Sequence, residues 1–84
     1  MDLQVFDTWI EGSKGGIHID VLVPKDKKLD DAIKFGKEFL KSIGEEGAKM
    51  TTEECTFCHI QKAIPEQEKE VNEKGYFIIK MQGC

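Results

Sequence analysis

Leu3-Gln4-Val5-Phe6-Asp7-Thr8-Trp9-Ile10 and Ile17-His18-Ile19-Asp20-Val21-Leu22-Val23, joined by the glycine-rich stretch Glu11–Gly16, decide the fold of this chain. The first segment is rich in β-branched and aromatic residues and reads as a strand. The second alternates: Ile17, Ile19, Val21 and Val23 share one face, His18, Asp20 and Leu22 the other. Three glycines and a serine between them read as a hairpin loop, and Pro24 ends the second strand because it has no N–H for the ladder. With the loop centred near Ser13–Lys14, residues whose numbers sum to about 27 oppose one another. Trp9 then faces His18, Asp7 faces Asp20 and Val5 faces Leu22. Phe6, Ile10, Ile17, Ile19, Val21 and Val23 fall on the face that a helix must cover.

Beyond Pro24 the period changes. Leu29, Ala32, Ile33, Gly36, Leu40 and Ile43 recur at helical spacing over residues 27–43. Asp26 reads as the N-cap, with Asp30 and Asp31 at the positive end of the helix dipole and Gly44 just past the end. Ala48 to Glu54 reads as a weaker strand, and Cys55–His59 follows on a strand end or a loop. Pro65 opens a second helix, Glu66 to Lys74, and Gly75 closes it. Residues 76–81 form the last strand, whose apolar residues on both faces suggest a central position. The expected architecture is a single α+β domain over residues 1–84, a two-layer sandwich in the order β-β-α-β-α-β. It has a four-stranded mixed sheet with two helices on one face, placed there by right-handed crossovers.

Composition excludes several functions. The net charge is −4 and all twelve basic residues are lysines. An acidic chain without arginine is poorly suited to nucleic acid, since arginine is the residue that forks onto phosphate and guanine. No segment is long and apolar enough to span a membrane. The N-terminal residues Met1–Asp7 lack the pattern of a secretion signal, so the expectation is a cytoplasmic protein with reduced cysteines.

Two clusters carry chemistry. The hairpin register brings Asp7, His18 and Asp20 together on the open face, beside Trp9. Opposed aspartates repel by roughly 0.2–1 kcal/mol when exposed, which calls for a counter-charge. The site reads as an acid/base or metal-binding patch, or as an ordinary solvated polar face. Homodimerisation through this face, with Val5, Trp9 and Leu22 joined by Tyr76 and Ile78 in an apolar patch, is a third reading.

The second cluster is Cys55-x-x-Cys58-His59. Four readings fit. Covalent haem has this attachment signature, but the mixed α+β pattern and the absent export signal disfavour it. Zinc fits the knuckle spacing, with His59, His18 or Cys84 completing the ligands Cys55 and Cys58. Thiol-disulfide exchange fits the spacing of the Cys55/Cys58 pair, although the next helix starts too late to lower a thiol pKa. Reduced cysteines packed as small apolar groups are the fourth.

Phe6-Asp7-Thr8, His18-x-Asp20, Cys55-x-Phe57-Cys58-His59 and Gly75-Tyr76 through Gly83-Cys84 together resemble a family of short bacterial proteins described only as a domain of unknown function. The resemblance spans nearly the whole chain and implies an α+β fold, with structural-genomics targets among its members. It implies no activity and no role for any residue. The leading functional expectation is a metal-binding or regulatory module using Cys55, Cys58, His59 and Cys84. A thiol oxidoreductase and a non-enzymatic interaction module are the alternatives.

Overall fold

The computed structural model describes residues 1–82. The order is β1 (Asp2–Gly12), β2 (Gly15–Pro24), α1 (Leu29–Ser42), β3 (Cys55–Lys62), α2 (Pro65–Lys74) and β4 (Phe77–Gln82). β1 and β2 pair as read from the loop, with Val5 opposite Leu22, Asp7 opposite Asp20 and Trp9 opposite His18.

The sheet order is β3-β1-β2-β4. Every neighbouring pair is antiparallel, so the expected mixed sheet is corrected. The hairpin occupies the centre, and each later strand adds to an outer edge. The crossovers therefore join strands that are not neighbours, and no parallel pair forms. β4 lies at an edge rather than in the middle.

The two-layer expectation is corrected as well: the helices lie on opposite faces. Phe6, Ile10, Ile17, Ile19, Val21 and Val23 bury against Ala32, Phe39 and Leu40 of α1. Leu3, Val5 and Leu22 bury on the other side with Val71 of α2, and Phe77 and Ile79 pack against them. Leu3, Val5 and Leu22 are an apolar set at one end of the second face, and α2 crosses from the β3 edge to the β4 edge to cover it. This explains why β4 is apolar on both sides although it is an edge strand. α2 is short, and the other end of its face stays open.

Local chemistry explains the remaining differences. The backbone N–H of Lys28, not Asp26, starts α1, donating to the Asp31 carboxylate at 3.0 Å. Gly44 and Gly75 both take positive φ past the helix ends, where glycine carries no Cβ penalty. Residues 48–54 form turns rather than a strand. The Glu54 carboxylate accepts from the backbone N–H and the hydroxyl of Thr51, at 2.8 and 2.6 Å, and such local bonds compete with a ladder. Met50 is the one fully buried apolar residue of this stretch, 2% exposed, with Ala48 partly buried against the same core. Its side chain lies across Gly36, where an added Cβ would collide with the Met50 sulfur and methyl. Among the described residues no helix is long and apolar enough to cross a membrane.

Gly36→Ala separates two effects of opposite sign. Helix propensity alone favours alanine by about 1 kcal/mol. The added methyl forces the flexible end of the buried Met50 side chain to repack, which offsets this gain, and we expect a net loss of no more than about 1 kcal/mol in urea unfolding. A second change, Met50→Ala, should remove the penalty specific to the added methyl; a stabilised Gly36→Ala single variant would contradict the packing account.

Candidate functional site

Beyond the reach of α2, the second face of the hairpin carries Asp7, Trp9, His18 and Asp20. Pleating alone accounts for this. Odd positions of β1 and even positions of β2 share a face, and the register sets Asp7 against Asp20. The His18 Nε2–H donates to Asp7 Oδ1 at 2.6 Å. Trp9 stacks on the imidazole with ring centres 3.7 Å apart and planes 14° apart. The indole thus fixes the ring while Asp7 holds Nε2. Asp20 is 8% exposed. Burial raises its pKa first, the Asp7 charge and a hydrogen bond with Asp7 raise it further, and His18 and His59 pull it down less strongly. One ligand atom each from Asp7, His18 and Asp20 lie within 4.8 Å of one another.

The cysteine cluster is arranged differently. Cys55 opposes Thr8 on β1 and is fully buried on the α1 side. The Thr8 hydroxyl donates to its sulfur at 3.3 Å, and burial pushes its thiol pKa up. Cys58 is exposed. It falls where the β1–β3 register shifts, between the pairs Phe6–Phe57 and Val5–His59. Its sulfur lies 3.2 Å from His59 Nδ1, while His59 Nε2 is 3.3 Å from Gln61 Oε1. Among the described residues, Cys55 and Cys58 join no group of three or more potential ligands. Cys84 lies outside the described residues.

The strands therefore assemble Asp7, His18 and Asp20, and separate Cys55 from Cys58 by burial. Sequence reasoning assigned His59 to the thiols and missed that its strand sets it on the face that carries Asp7. Placing β3 beside β1 would have supplied that signal. A hollow of about 710 Å³ lies away from both clusters, between α1 and the following loop, lined by Lys34, Lys37, Lys41 and Lys49 among others. That hollow is bordered mainly by long charged side chains, whereas the open sheet face holds the convergent imidazole and carboxylates.

Because Asp20 holds its proton more tightly in the folded than in the unfolded chain, its contribution to stability falls as pH rises. The loss begins in the ordinary carboxylate range and is complete above the raised folded pKa. In metal-free buffer Asp20→Asn should therefore stabilise the protein at pH 7 by up to about 1 kcal/mol. The advantage should shrink towards the acid end, where wild-type Asp20 is protonated. Urea unfolding at both pH values checks this, and a variant less stable than wild type at pH 7 would contradict it.

The family model for the domain of unknown function DUF2024 matches residues 1–81. The NMR structure of protein NE1680 from Nitrosomonas europaea, a structural-genomics target, is similar in fold with a TM-score of 0.89. It shares 44% sequence identity over 100% of this chain and 99% of that one. No curated protein matches.

Proposed function

The chain belongs to the family of the domain of unknown function DUF2024, and we propose that it is a binding module for one divalent transition-metal ion, held by Asp7, His18 and Asp20. The observation that carries this reading is the convergence of an imidazole nitrogen and two carboxylates within 4.8 Å, on two adjacent strands. A mixed nitrogen and oxygen set suits zinc and its neighbours among the first-row metals. A dication also resolves the electrostatics of the site. It neutralises two carboxylates, offsetting the burial and the mutual repulsion that raise the Asp20 pKa.

The supporting groups suit the same role. A histidine ligand works best when its ring is held in one orientation, and the Trp9 stack does this for His18. Metal binding would displace the Nε2 proton now shared with Asp7. Three protein ligands leave a coordination position for water or another donor. The thiol pair is less suited to chemistry of its own, because burial disfavours the Cys55 thiolate.

Zinc added to metal-free protein should bind at one ion per chain and raise the unfolding temperature. At a free concentration 100 times the Kd the stabilisation is about 2.7 kcal/mol. His18→Ala and Asp20→Ala should abolish the shift, and Cys55→Ala should retain it after correction for its own destabilisation. Zinc binding that survives His18→Ala and disappears with Cys58→Ala would return the ion to Cys55, Cys58, His59 and Cys84.

A further inference from the structure

We propose that His59 is a further ligand of this metal site, a side chain on the edge strand that swings onto the ion and closes its open position. The inference rests on the metal-binding reading above and names the group that completes it.

β3 pairs with β1 so that Thr56 opposes Asp7 and His59 opposes Val5. Opposed residues share a face, and Val5 and Asp7 are two apart on β1. Thr56 and His59 therefore border the same open face as the Asp7–His18–Asp20 group. One residue separates Val5 from Asp7, but two separate Thr56 from His59. The extra residue is Cys58, at the register shift. Such a bulge bends its strand and re-aims the neighbouring side chain. Without it, His59 would fall on the α1 side with Phe57.

His59 is exposed, so rotation of its side chain is not blocked by packing. Its present partners are the Cys58 sulfur at Nδ1, 3.2 Å away, and Gln61 Oε1 at Nε2, 3.3 Å away. The latter is a long contact, easily exchanged for a metal ion. The ring lies outside the compact group of three, on the strand that pairs with β1 and on the same face as Asp7. With Nε2 on the ion, Nδ1 would carry the ring's proton and could donate it to a neighbouring acceptor, which would orient the ligand. Two aspartates and two histidines around a dication form a neutral, four-coordinate set of the tetrahedral kind zinc accepts. With His59 rotated away the site is open to an external donor; with it engaged the site is shut. The arrangement gives Cys58-His59 a purpose that does not require Cys55, whose sulfur is buried beneath Thr8.

Cobalt(II) titration followed by visible absorption tests this on the full chain. Wild type should bind one cobalt with the intense bands of four-coordinate geometry. His59→Ala, at an exposed position and checked for folding by circular dichroism, should still bind. Its Kd should rise at least ~10-fold and its bands weaken to those of a higher-coordinate, water-filled site. His18→Ala should bind none. A His59→Ala variant with the wild-type Kd and spectrum, alongside loss in His18→Ala, would overturn the role of His59 and leave the three-residue site standing. A sulfur-to-cobalt charge-transfer band in wild type, or no cobalt binding at all, would overturn both.

Discussion

Asp7 faces Asp20 across the central hairpin because the loop at Ser13–Lys14 sets the β1–β2 register and because that register buries six apolar residues under α1. The aspartates have no say in the matter. A slip of one residue would turn Phe6, Ile10 and the β2 aliphatics out to water, a loss far larger than the repulsion between two partly exposed carboxylates. The core thus imposes an unfavourable juxtaposition on the opposite face. Asp20 answers with a raised pKa, and Asp7 by taking the His18 N–H at 2.6 Å. Everything inferred about function follows from that imposed pair.

The placement of the helices decides how much of the face is left for chemistry. α1 covers one side of the sheet, and the Met50 side chain fills the space left by the glycine at position 36. α2 covers only the end of the other side that carries Leu3, Val5 and Leu22. A longer α2 would seal the polar group in; none would leave those three aliphatics exposed. The site sits at this boundary, with an apolar neighbour on one side and water on the other. Asp20 is buried there while Trp9 remains half exposed.

Much of this was legible in the chain. The alternation of Ile17 to Val23 and the glycine loop gave the hairpin, its register and the group Asp7, His18, Asp20 and Trp9. Pro65, Gly44 and Gly75 marked helix ends. Strand order was not legible, since alternation records which residues share a face and not which strand lies beside them. The apolar Phe77, Ile78 and Ile79 suggested a central strand; a helix on each side of an edge strand produces the same pattern. Ala48, Met50 and Thr52 mimicked a strand although only Met50 is buried, and the bonds from Thr51 to Glu54 hold a turn. The C-x-x-C spacing left open whether the thiols converge, and the structure places it within an irregular strand that buries Cys55 and exposes Cys58. No spacing rule reveals a bulge, and the bulge is what brings His59 to the face of the carboxylates.

The most direct test of the central claim is long-range proton–nitrogen NMR of the two histidine rings during zinc titration of metal-free protein, with the Cys55 Cβ shift followed in parallel. The account predicts that the His18 Nε2 resonance moves to a metal-bound position at one equivalent of zinc while Cys55 keeps the shift of a reduced, unligated thiol. An unchanged His18 ring, with the cysteine carbon shifting instead, would contradict it.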